Sequence, residues 1–119
     1  MNKLKMAVLG LALSSTVSMA DDCVAPAMPG VPDGATSTME QMLAGQKAVK
    51  AFQTANLEYM SCLEPKLAAA EAEAAAGSAE AVSSYQKVQE DYNSAVSKEE
   101  DVAGQFNAAI RDYKAANPS

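Results

Sequence analysis

Few residues in this chain carry side chains suited to covalent or acid–base chemistry. Its 119 residues include two cysteines, Cys23 and Cys62, and neither histidine nor tryptophan. Two thiols with no third are most simply read as one disulfide, made in an oxidising compartment. A redox-active pair or a bridge to a second molecule competes with this, but 39 positions separate the two, far from the close spacing of catalytic dithiols. Without histidine the commonest general base and metal ligand are both missing, which removes Ser-His and Cys-His pairs and the usual zinc sites.

Carboxylates come in two runs, Glu90-Asp91 and Glu99-Glu100-Asp101. Neighbours on a helix point in different directions, and no Asp-rich, Gly-containing calcium loop occurs, so these read as solvated helix faces. Lys87 with Asp91 and Lys98 with Asp101 fit ordinary helix-surface pairing. Tyr85, Tyr92, Phe106 and Tyr113 recur on a seven-residue lattice, which indicates packing. Met39 and Met60 are isolated, while Met42 falls in that packing lattice. There is no GxGxxG, P-loop or nucleophile-elbow pattern. Neither catalytic residue, cofactor nor metal site is expected.

Residues 1–20 read as an export signal: Lys3 and Lys5 precede an apolar run from Met6 to Leu13, and Ser18 and Ala20 suit a cleavage site between Ala20 and Asp21. About 15 apolar or small residues fall short of the roughly 20 that a spanning helix needs, so no membrane span is expected after cleavage. Asp21 and Asp22 stand before Cys23, which argues against lipidation at that thiol. Cleavage removes two of the nine basic residues, leaving 7 against 15 acidic and a net charge of −8. Such a chain repels nucleic acid and anionic lipid.

The remaining 99 residues hold 22 Ala but only 14 Leu, Ile, Val or Phe, enough for a thin seam between long helices rather than a thick core. Residues 21–36, with Pro26, Pro29, Pro32, Gly30 and Gly34, form an extended arm ending in a Pro-Asp-Gly turn. Ser37 and Glu40 make a capping box for a helix running to Ala76. Gly77-Ser78 is the reversal, and a second helix spans Ala79 to Ala116, stopped by Asn117-Pro118. The fold class is all-α: an antiparallel two-helix coiled-coil hairpin over 37–117 with an extended N-terminal arm. The alternative is three helices with a break near Pro65, which lacks the N–H that would bond the Ser61 carbonyl.

Heptad spacing supports the hairpin. Folding about Gly77-Ser78 pairs residues whose numbers sum to 155: Met42 with Tyr113, Gly45 with Ile110, Val49 with Phe106, Phe52 with Ala103, Tyr59 with Val96, Leu63 with Tyr92 and Ala70 with Tyr85. Polar positions also meet, Asn56 opposite Glu99 and Lys66 opposite Gln89, which fixes register. One flank of this seam is small and apolar (Ala48, Ala55, Cys62, Ala69; Ala81, Val88, Ala95, Val102, Ala109). The other is mostly polar, with Gln46, Gln53, Asn93, Glu100 and Asn107. An arm of 14 steps reaches roughly 43 Å in polyproline form, against roughly 37 Å of helix from Ser37 to Cys62. Val24, Met28, Val31 and the three prolines are expected to roof the apolar flank, pinned by Cys23–Cys62.

Gly45-Gln46, Ala48-Val49-Lys50, Phe52, Tyr59 and Cys62-Leu63, with Cys23 ahead of a Pro-rich arm and the stretch Val102 to Asn117, resemble small uncharacterised exported proteins of Gram-negative bacteria. The resemblance implies a periplasmic setting and supplies no activity or binding residue. The expected role is non-catalytic: a periplasmic binding, chaperone-like or envelope-associated protein. The alternatives are a self-assembling dimer forming a four-helix bundle, or an acidic cation buffer.

Overall fold

The computed structural model describes residues 22–118 and is built from two helices, α1 (Met39–Ala75) and α2 (Ala79–Ala116), packed side by side as an antiparallel hairpin. Residues 1–20, expected to be an export signal, and the expected cleavage site at Ala20 and Asp21 lie outside the described residues.

Local chemistry accounts for each boundary. The arm ends at Asp33, whose side chain accepts the Ala35 N–H at 2.9 Å and whose carbonyl accepts that of Thr36 at 3.2 Å. Two overlapping capping boxes follow, Ser37 with Glu40 and Thr38 with Gln41, and the second is the one used. Thr38 Oγ1 accepts the Gln41 N–H at 3.1 Å, and Gln41 Oε1 accepts the Thr38 N–H at 2.8 Å. Just ahead of the cap Gly34 is seated on α2, where a Cβ would run into the Ala109 carbonyl. At the reversal Gly77 takes φ 100°, open to glycine at little cost, and Ser78 caps α2 by accepting the Ala81 N–H at 3.2 Å.

Helix α1 passes through Pro65 without a break, which corrects the three-helix alternative. Pro65 and Ser61 both lie on the exposed side, so the carbonyl that loses its N–H partner faces water.

On α1 the buried residues are those of the expected seam: Met42, Gly45, Val49, Phe52, Asn56, Leu63 and Ala70. On α2 they are Ala95, Val102, Phe106 and Ala109. Three of these four were placed on the flank, whereas Val96, placed in the seam, is 37 % exposed, Val82 is also exposed, and Ile110 is half-buried. Helix α2 is therefore rolled about its axis relative to the expected seam. The roll turns the small row Ala81, Val88, Ala95, Val102, Ala109 inward in place of Val82, Gln89, Val96, Ala103, Ile110. The inward row has no polar member, and its small side chains leave room for the arm.

The arm is the third layer. Its inward residues are Cys23, Pro26, Pro29 and Pro32, every third position, which is the repeat of a polyproline II strand. Pro32 sits on Gly45, where a Cβ would come within 2.6 Å of the ring. Nine residues at the polyproline rise cover about 28 Å, and the 17 helical residues from Gly45 to Cys62 about 26 Å, so the arm reaches its cysteine nearly straight. Val31 packs against the core, but Val24 and Met28 are exposed, a correction to the expected roof: the period of three turns them away from the helices.

Candidate functional site

Three features of the surface bear on what the molecule can do. The first is the lock. Cys23 and Cys62 are bonded, their Cα atoms 5.7 Å apart, and no free cysteine remains among the described residues. Closing a loop of this length stabilises the fold by about 4 kcal/mol in the chain-entropy model.

The second is a polar notch of about 180 Å³ beside the arm, lined by Ala25, Asn56, Tyr59, Asp91, Ser94, Ala95 and Lys98. Asn56, 1 % exposed, donates to the Ala95 carbonyl at 2.9 Å, while Glu99 accepts from Gln53 at 2.9 Å. The expected pairing of Asn56 with Glu99 is thus replaced, because the roll of α2 presents a backbone carbonyl where Glu99 had been placed. Lys87 bridges to Asp91 at 2.9 Å, which raises the lysine's pKa. Burial pushes the Tyr59 phenol above its ordinary 10.0, the Asp91 charge adds to this, and Lys87 opposes it. A phenol shifted upward stays protonated at neutral pH and is a hydrogen-bond donor there, not a base or nucleophile. Among the described residues no three acidic or thiol groups are gathered as a metal site would require.

The third is an apolar groove on the face opposite the arm. It opens at the end of the hairpin far from Gly77, with a volume of about 330 Å³, between Met39, Met42 and Leu43 on α1 and Phe106, Ile110 and Tyr113 on α2. Gln46 and Lys114 stand at its rim. A second depression of about 230 Å³ continues it along the same face past Lys50 and Gln53 to Ala103 and Asn107. The exposed large apolar residues of the helices are Met39, Leu43, Leu57, Val82 and Val96. Met39 and Leu43 line the groove, Leu57 follows Leu43 by fourteen residues on the same side of α1, and Val82 and Val96 fall on the same side of α2 as Ile110. Leu57 is 62 % exposed.

Of the residues singled out from the sequence, Val49, Phe52, Asn56, Leu63 and Phe106 are buried together. Tyr59, Tyr85, Tyr92, Glu99, Ile110 and Tyr113 are half-buried along the seam edges. The sequence pattern does not single out Leu43 or Leu57, and Met39 reads as isolated there. Their signal is modest: Leu43 and Leu57 are fourteen residues apart, as are Val82, Val96 and Ile110, so each set returns to one side of its helix. No helix of the described residues is long and apolar enough to cross a membrane. No family model, curated protein or solved structure matches the chain.

Proposed function

We propose that this chain is an exported, periplasmic helical protein that works by contact rather than catalysis, with the open face of the hairpin as its binding surface. The observation that carries this is the apolar groove at the open end of the hairpin, on the side that the arm leaves uncovered. Both faces flank the same seam, one is covered by the arm, and the other holds a groove lined by Met39, Met42, Leu43, Phe106, Ile110 and Tyr113, with Leu57 and Val96 exposed further along the hairpin. An exposed apolar groove of this kind on a helix pair marks an interaction site. The leader-like residues 1–20 and a disulfide that closes the fold support an oxidising, extracytoplasmic setting.

The reading is tested by placing a photo-crosslinking residue at Leu43 and, as a control, at Ser84, away from the open face, in cells that export the protein. Adducts from Leu43 and not from Ser84 are expected, with mass spectrometry naming what is joined. Equal labelling from both positions, or none from Leu43, would remove the open face from the account.

A further inference from the structure

Apolar residues on the open face are not spread evenly along the hairpin. Leu43 on α1 stands abreast of Ile110 on α2, both lining the groove. Fourteen residues further along each helix, Leu57 stands abreast of Val96, a height set by the neighbouring bond from Asn56 to the Ala95 carbonyl. Between these levels the rim of the intervening depression is polar, with Gln46, Lys50, Gln53 and Asn107, over a floor of Val49, Ala103 and Phe106. At the rim both helices thus carry an apolar, polar, apolar order at the same heights.

A surface patterned this way is complementary to itself. A two-fold axis along the length of the hairpin lays α1 of one copy over α2 of another without changing height. Leu43 then meets Ile110 of the second copy, and Leu57 meets its Val96. In the polar level Lys50 comes within side-chain reach of Glu100 of the second copy, and the symmetry makes that pair twice. These two pairs act against the general repulsion between acidic chains. From Met39 to Leu57 the stripe is about 27 Å long and two helices, about 20 Å, wide, so roughly 500 Å² per copy is covered, which is where specific interfaces begin.

Resting on the contact reading above, we infer that the occupant of the open face is a second copy of this chain. The product is a four-helix bundle with both Gly77 turns at one end and both arms on the outside.

Sedimentation velocity on the mature, oxidised protein from about 1 µM to about 1 mM tests this. A monomer–dimer transition is expected. Leu57→Asp, at a site exposed enough to leave the fold and its circular dichroism intact, should weaken it at least about tenfold. Val24→Asp, equally exposed but on the arm, should leave it unchanged. Lys50→Glu and Glu100→Lys should each weaken self-association, and mixing the two variants should restore it, because each then offers the charge the other needs. A monomer throughout, a dimer indifferent to Leu57→Asp, or a mixture no better than its components would overturn the inference. If Leu43 crosslinks a foreign protein in cells while the purified chain stays monomeric, self-association falls and the contact reading stands. If neither is seen, both fall.

Discussion

The two halves of this hairpin are made of the same helices in the same heptad lattice, yet only one of them is dry. Between Met42 and Leu63 on α1 and between Ala95 and Ala109 on α2 lie ten of the eleven buried helix residues, and Val102 is 0 % exposed. Beyond, toward Gly77, Ala70 is the one buried residue and Tyr85 and Tyr92 remain half-exposed. The arm distinguishes them: it runs over the first half from Gly34 to Cys23 and ends where the burial ends. Two alanine-rich helices cannot dehydrate a seam by themselves, because each has one flank open to water. A third layer, thin enough to lie on Gly45 and Ala109, closes one flank and makes a core from small side chains.

Cutting the tether should erase the comparison and have the largest effect. Cys62→Ser is expected to cost about 4 kcal/mol in urea unfolding monitored by circular dichroism. A loss under about 1 kcal/mol would mean that the arm holds without its bond. Next, Asn56→Ala removes the buried bond to the Ala95 carbonyl and leaves a void, so a loss of about 2 kcal/mol is expected from the same measurement.

The two mid-helix glycines sharpen the contrast with opposite signs. At Gly45 a methyl group collides with the Pro32 ring; at Gly104 it meets nothing within 4 Å. Gly104→Ala should therefore gain up to about 1 kcal/mol from helix propensity. Gly45→Ala should lose on the order of 1 kcal/mol, since overpacking outweighs the same gain. Thermal melts of both variants that shift in the same direction would show that the arm does not press on α1.

The smallest effect belongs to the Tyr59, Asp91 and Lys87 cluster. Tyr59 and Lys87 both have folded pKa values raised above 10.0 and 10.5 respectively. Their contribution is fully present below those values and is lost as pH rises through the higher folded ones. Asp91→Asn should therefore lower neutral-pH stability slightly, by no more than an exposed helix pair contributes, and flatten the further loss seen above pH 10. A large change at neutral pH would show that the cluster carries more of the fold than its exposure permits.

Much of this architecture is written in local signals. Gly77-Ser78 marks the reversal, Asn117-Pro118 the end of α2, and two thiols without a third define the bond. The roll of α2 is not local. Rows Val82–Ile110 and Ala81–Ala109 satisfy a three-and-four lattice equally well, and what selects the second is a strand that lies elsewhere in the chain. The spacing of Cys23, Pro26, Pro29 and Pro32 carried that information, since only a polyproline strand places every third residue inward. Once the small row turns in, Val96 and Ile110 must move toward the open face, and the candidate binding surface is a consequence of where the arm sits.

Native-state hydrogen exchange tests the central claim most directly. In the oxidised protein the amides of Val49, Phe52, Val102 and Phe106 should be protected well beyond those of Leu67, Ala70, Tyr85 and Val88. In a Cys23→Ser, Cys62→Ser double variant that difference should vanish, the first set falling to the level of the second. If the first set keeps its protection without the tether, the helices make the core unaided and the arm is only an ornament on it.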